Sequence, residues 1–268
     1  MFVIGSTLSL TAGLLFGSFM MVLIPRIYKQ HSGIILGRSK CSHCHHQLKA
    51  TDLIPLVSYL LLKGKCRYCQ TKISAIYPIV EIVTALSFFT VFSYFGPVFL
   101  NTPTAASILI FTLVIIHIFV LLFTFFYDLL YYEISDAILI PAIVIAFLQT
   151  FIGTQIFPVT GDALIGAAIP VSIFLIQILI SSGKWLGLGD LRIGAYMGLL
   201  LGTYKTILAL LITYMLGALV AIILLVTKKA TKKTPIPFGP FLTIGTMVAL
   251  FLGDIILNWY FHKLLLLM

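Results

Sequence analysis

Charge is what this chain has least of. Of its 268 residues only 9% are Asp, Glu, Lys or Arg, against roughly 25% in soluble domains. With 60% hydrophobic residues and a mean hydropathy of +1.14, that shortage excludes a soluble fold. Acids are the scarcest: Asp52, Glu81, Asp128, Glu133, Asp136, Asp162, Asp190 and Asp254 are the whole set. No internal repeat, low-complexity tract or flexible linker is evident. No Lys or Arg precedes Arg26, so the first apolar stretch lacks the basic start of a secretory signal and reads as a retained helix.

What is present is apolar sequence in long runs. Spans of roughly 20 apolar residues suffice to cross hydrocarbon. Eight are predicted, at about 4–25, 76–95, 105–127, 138–157, 162–182, 191–203, 206–227 and 238–260, the sixth being short. The expected fold is therefore an all-α polytopic membrane protein. It divides into a first transmembrane helix (1–25), a polar cysteine-bearing loop domain (26–75) and a membrane domain (76–268).

The net charge of +9 is unevenly placed. Arg26, Lys29, Arg38, Lys40, Lys49, Lys63, Lys65, Arg67 and Lys72 fall in the loop 26–75. Lys228, Lys229, Lys232 and Lys233 lie between spans seven and eight, and Lys184 and Arg192 flank Asp190. With the N-terminus outside, eight spans put all of these on the cytoplasmic side, as the positive-inside rule requires. Only Lys205 and Lys263 fall elsewhere. The basic charge thus reads as topology and contact with anionic membrane lipid, with nucleic acid not expected as a partner. The same threading brings Asp128, ending span three, and Asp190, starting span six, to one face of a cell membrane.

Cys41-Ser-His-Cys44 and Cys66-Arg-Tyr-Cys69 are two Cys-x-x-Cys knuckles separated by 21 residues. Each two-residue spacer lets both sulfurs address one ion, so Cys41, Cys44, Cys66 and Cys69 are expected to hold a structural zinc in a ribbon-like loop. The loop is too small and polar to build a core, and the metal would supply its folding energy. Disulfides or a redox pair are the competing reading, which a cytoplasmic location disfavours. His43, His45 and His46 read as solvated knuckle residues.

An ionisable group within a membrane segment is a functional hypothesis by default. Asp190, in Gly187-Leu188-Gly189-Asp190, and Asp128 both qualify. Two nearby carboxylates share a proton, so one can draw a proton from water while the other donates to a carbonyl oxygen. Gly187 and Gly189 would allow close backbone approach, a positive φ, or room for an extended substrate. The bland reading of Asp190 is a helix N-cap. Asp128 is mismatched to its own helix, because a negative charge at a C-terminus opposes the dipole. Asp136 and Asp162 read as N-caps of spans four and five, Glu133 as interfacial, His117 as a packing residue, and Asp254 as buried without a role.

Taken together these residues resemble the prepilin leader peptidases, membrane aspartic proteases of the GxGD type. The likeness runs over nearly the whole chain. It includes Gly17-Ser18-Phe19 with Arg26, the cysteine pairs enclosing Asp52 to Tyr59 and Lys63 to Arg67, and Ile73-Ser74. It continues through Tyr77-Pro78-Ile79-Val80-Glu81, Gly187 to Asp190, and Ile236-Pro237-Phe238-Gly239-Pro240. One departure is Ile134-Ser135-Asp136, where the family often has Ile-Pro-Asp. The resemblance implies catalysis by Asp128 and Asp190, with 76–268 as the peptidase domain. It implies type IV prepilin or pseudopilin precursors as substrates, cut after a glycine at the cytoplasmic face. Members with the cysteine domain commonly also methylate the new N-terminus from S-adenosylmethionine. No residue of this sequence by itself marks a methyl-donor pocket, and Gly13 and Gly17 can equally serve helix packing.

Two other classes compete. A proton-coupled transporter would place its acids near the bilayer midplane and has no use for the cysteines. A zinc-loop scaffold explains the cysteines and leaves the aspartates unexplained.

Overall fold

The computed structural model describes residues 2–29, 37–101, 103–152, 154, 156–229, 231 and 234–265. Part of the expected cysteine domain (30–36) and the basic positions Lys232 and Lys233 lie outside the described residues. The helices are α1 (Phe2–Tyr28), α2 (Val57–Leu61), α3 (Ile76–Asn101), α4 (Ala105–Tyr131), α5 (Asp136–Gln149), α6 (Thr160–Ser181), α7 (Leu188–Val226) and α8 (Gly239–Leu265). No strand forms among the described residues, only two isolated bridges in the cysteine loop. Large apolar side chains such as Leu8, Leu179 and Ile180 stand exposed on these helices. A helix that is apolar all round belongs in a hydrophobic surrounding.

Among the described residues six helices are long and apolar enough to cross a membrane: α1, α3, α4, α6, α7 and α8. The protein is an all-helical multi-pass membrane protein. The difference from eight spans has two local causes. α5 has 14 residues, about 21 Å of helix against roughly 30 Å of hydrocarbon. α7 has 39 residues, about 58 Å, and contains both the sixth and the seventh expected span. Gly202, at φ +70° and ψ −175°, breaks it into two arms close to the expected division.

The chain forms two compact units, Met1–Phe123 and Thr124–Met268, with the boundary inside α4. In the first, α1 packs on α3. A Cβ on Gly13 would stand 2.5 Å from Ala85 Cα, and one on Gly17 2.7 Å from Glu81 Cα. These two glycines let the backbones touch, as small residues four apart do between membrane helices. The first helix, the cysteine loop and α3 therefore belong to one packed unit, whereas the expected division separated α3 from them at 75/76.

In the second unit α6, α7 and α8 pack successively, and α5 packs on α7. Asp162 is not the N-cap of α6, which is Val159. Its Oδ1 accepts the Thr203 N–H at 3.0 Å. The break at Gly202 creates a new helix start with orphan N–H groups, and Asp162 caps that start from the neighbouring helix. Asp136 likewise is the first helical residue of α5 after the N-cap Ser135, and it pairs with Arg192 of α7. The backbone of Ser135 has φ −78°, an angle that proline also adopts. Asp254 is exposed and pairs with Lys205 at 2.8 Å, contrary to the expected burial. His117 is buried within α4.

Candidate active site and metal centre

The cysteine loop is built from two copies of one backbone device. Lys40 bridges to Gln47, and Lys65 bridges to Lys72. The Cys41 N–H donates to the His46 carbonyl and the His45 N–H donates back to the Cys41 carbonyl. Cys66, Thr71 and Gln70 repeat both bonds. His45 and Gln70, each four residues after the first cysteine of its knuckle, have φ of 56° and 58°. A structural repeat is therefore present where none was expected. The sequence hides it because only Lys-Cys-x-x-Cys is shared.

The four Sγ atoms lie within 4.8 Å of one another, and those of Cys41 and Cys69 are 3.9 Å apart. A tetrahedron with bonds of about 2.3 Å has edges of about 3.8 Å, so the donor set fits a zinc ion. None of the four cysteines is joined in a disulfide. Hydrogen bonds from the Thr71 hydroxyl and N–H bring Cys69 down to about 6, which makes it a thiolate at neutral pH. Cys44 stands at about 11: the His46 N–H lowers it, but burial and the thiols of Cys69 and Cys41 push it up. His43, His45 and His46 are exposed, and His46 stacks on Tyr68 with ring centroids 3.7 Å apart.

Two acids fasten this loop. Asp52 accepts from Arg67 Nε at 2.7 Å, Tyr68 Oη at 2.9 Å and the Lys49 N–H at 3.1 Å. Burial raises its carboxyl, but these donors together hold it below its ordinary value. Glu81, buried on α3, accepts the Leu56 N–H at 2.7 Å and also bonds to the Ser18 side chain. Leu56 itself has φ +60°, a conformation costly for a leucine.

Asp128 and Asp190 line one cleft of about 260 Å³, together with Tyr132, Ile134, Trp185, Gly187, Gly189 and the segment Pro235 to Phe238. Neither lies mid-helix: Asp128 is in the last turn of α4 and Asp190 in the first turn of α7. Asp190 is not the N-cap. Gly187 takes that place, and Asp190 Oδ2 reaches back to accept its N–H at 3.1 Å. The mismatch of Asp128 with its own helix end is resolved by another helix. Its Oδ2 accepts the N–H of Gly239, the first residue of α8, at 2.9 Å. The carboxylate that opposes the dipole of α4 complements that of α8.

The glycines differ in purpose. Neither Gly187 nor Gly189 has a positive φ. A Cβ on Gly189 would stand 2.7 Å from Ile134 Cδ1, so it permits close packing. A Cβ on Gly187 would meet nothing nearer than 3.9 Å. At Gly239 a Cβ would stand 2.6 Å from Asp128 Oδ2. Sequence reasoning placed Gly239 within a motif and assigned it no task. Its contribution is a backbone N–H, which leaves no side-chain signature. The pairing of Asp136 with Arg192, two residues beyond Asp190, was equally unforeseen.

Comparison with known proteins matches the chain in two segments. Residues 11–95 match the bacterial peptidase A24 N-terminal domain, and residues 113–222 match the type IV leader peptidase family. A prepilin leader peptidase/N-methyltransferase of Aeromonas hydrophila is 34% identical over 236 residues, covering 87% of this chain and 77% of that protein. The protein of that name from Pseudomonas aeruginosa is 31% identical over 274 residues, covering 92% and 90%. The one from Bacillus subtilis is 31% identical over 254 residues, covering 92% and 94%. No solved structure matches.

Proposed function

Because the chain belongs to the type IV leader peptidase family and is a peptidase, we propose that it removes the leader from type IV prepilin or pseudopilin precursors by aspartic catalysis. The observation that carries this reading is the shared cleft of Asp128 and Asp190 at two helix ends. In the proposed reaction one carboxylate is ionised and takes a proton from water as the water oxygen attacks the scissile carbonyl carbon. The other, protonated, donates to the carbonyl oxygen. Collapse breaks the C–N bond, and the leaving amine takes up a proton. The N–H groups of Gly187 and Gly239 each hold one oxygen of a carboxylate, so the two acids enter the reaction already oriented.

In this reading the cleft faces the cytoplasm with the basic loops, the N-terminus is outside, and cleavage follows a glycine of the precursor. Cys41, Cys44, Cys66 and Cys69 hold a zinc that is structural, since four thiolates leave no open position. The relatives' printed names also carry methyl transfer. For this chain we propose that the new α-amine attacks the methyl carbon of S-adenosylmethionine. The carbon–sulfur bond breaks toward sulfur and the nitrogen gives up one proton. A transporter is the weaker reading, because both acids sit at helix ends rather than mid-span.

The test is cleavage of a prepilin precursor by the purified chain in detergent, with product mass recorded in the presence of S-adenosylmethionine. Asp128→Asn and Asp190→Asn are each expected to abolish cleavage while keeping helicity and metal content. Normal cleavage by either folded variant would sink the assignment.

A further inference from the structure

The loop between α1 and α3 is polar and basic except for one segment. Leu53 to Leu62, which contains α2, carries no charge. Leu53, Ile54, Val57, Leu60 and Leu61 all stand exposed, the last two at 64% and 78%. Their spacing follows one helical face. The other side, with Leu56, Tyr59 and Leu62, is half-buried, and Tyr59 packs against Gly64. The segment is therefore apolar on both sides, and its outer side is a patch of the kind that binds something. What covers that patch follows from where α2 is held. The Leu56 N–H donates to Glu81 Oε2 at 2.7 Å. Glu81 is the sixth residue of α3, a helix long and apolar enough to cross a membrane. The start of α2 is thus tied about 8 Å inside the end of a membrane helix. Tyr77, Ile79 and Ile82 of α3 are exposed at the same end, so the two apolar surfaces lie at one level. As a helix the segment would reach about 15 Å, half of what a crossing needs, so it can only lie along the membrane surface. Lys49 precedes it, and Lys63 and Lys65 follow it. All three are exposed, and none forms an ion pair among the described residues.

We propose that α2 and the residues before it are an interfacial membrane anchor. Leu53, Ile54, Val57, Leu60 and Leu61 seat at the boundary of headgroups and acyl chains, and Lys63 and Lys65 rest on anionic lipid headgroups. A second copy of this chain is a poorer cover. It has only eight acidic residues to offer the lysines, and Asp52, Asp136 and Asp254 are already paired. The cysteine domain is then held to the bilayer by α1, α2 and α3 rather than hung from the ends of α1 and α3 alone. The inference does not depend on the catalytic reading.

The test uses the full, metal-loaded chain in nanodiscs of phosphatidylcholine alone or mixed with phosphatidylglycerol. Trp185→Phe and Trp259→Phe remove the two native tryptophans. Leu61→Trp or Tyr59→Trp, added singly, then reports the outer or the inner side of the segment. Lipids with brominated acyl chains are expected to quench the Leu61→Trp variant strongly and the Tyr59→Trp variant weakly. In wild type, acetic anhydride is expected to modify Lys63 and Lys65 about fivefold more slowly when phosphatidylglycerol is present. That readout needs no variant. Leu60→Glu with Leu61→Glu changes only side chains that are exposed in the folded chain. Metal content is expected to persist in this double variant, while protection of Lys63 and Lys65 falls to the level seen in phosphatidylcholine alone. Equal quenching of the two tryptophan variants, or equal acetylation of wild type in both lipids, would overturn the proposal. So would dimers cross-linked through Lys63 or Lys65 that the double variant abolishes, because the cover would then be a second copy of the chain.

Discussion

In the cysteine loop each knuckle closes on itself within eight residues, from Lys40 to Gln47 and from Lys65 to Lys72. In the aspartate cleft the hydrogen bond that holds Asp128 comes from Gly239, 111 positions away. The first site is local in sequence and poor in core, since of its four cysteines only Cys66 is buried. The second is assembled by the ends of α4, α7 and α8, which are far apart in sequence. A local site without a core needs an external source of folding energy, which a metal provides. A site assembled from distant helices needs its backbones brought together, and small residues provide that. The two should therefore fail separately and by different means.

Removing the metal should have the largest effect. A structural zinc contributes on the order of 10 kcal/mol to small domains of this kind, far more than any single side chain in the loop. Chelation, or Cys66→Ser, is expected to abolish hydrogen-exchange protection across 38–73 while α6 and α7 keep theirs. Loss of protection in α6 and α7 at the same chelator concentration would show the two regions to be one cooperative unit and would dissolve the contrast.

The reverse break is Gly239→Ala. The added methyl would stand 2.6 Å from Asp128 Oδ2, so either the carboxylate or the start of α8 must move. Displacements of about 1 Å at a reacting group cost on the order of 100-fold in rate. We expect cleavage to fall by about that factor, mainly in kcat, with metal content unchanged. A variant with wild-type kcat would show that Asp128 does not depend on α8.

This contrast also explains how much could be read in advance. Apolar composition marks the chain as membrane-spanning but not the number of spans, and Cys-x-x-Cys spacing marks the cysteine cluster, because both are local patterns of side chains. Asp128 stood out because its charge is wrong for its own helix end, though its partner was not legible. Gly239 acts through an N–H that every non-proline residue has, and nothing in sequence ties position 239 to position 128. Asp162 misled for the same reason. It has the residue type and place of an N-cap, and the helix start that it caps belongs to a different part of the chain. The knuckle repeat was hidden because its likeness is in backbone bonds rather than residue types.

A smaller effect sharpens the local side. Asp52 joins the first part of the loop to the second knuckle through Arg67 and Tyr68. Arg67 is half exposed, so solvent screens the pair and its net worth is about 1 kcal/mol or less. Asp52→Asn is expected to speed metal loss to a chelator by no more than about fivefold, without altering cleavage. A much larger acceleration would mean that Asp52, rather than the metal, carries the fold of the loop.

The smallest expected effect on stability is the most informative about the cleft. Gly187→Ala adds a methyl whose nearest neighbours would be 3.9 Å away, at φ −91°, an angle that alanine adopts freely. Nothing in the folded chain requires glycine there, and substitutions of this kind change stability by about 0.5 kcal/mol or less. If the glycine nevertheless matters, the reason is whatever enters the cleft. We expect unchanged thermal stability and unchanged metal content, together with a raised KM for precursors and little change in kcat, because the methyl occupies space that an extended substrate needs. An unchanged KM would confine the role of Gly187 to its N–H, which Asp190 uses and which alanine retains. The space reading would then fail, while the hydrogen bond that orients Asp190 would remain as the sole contribution of this position.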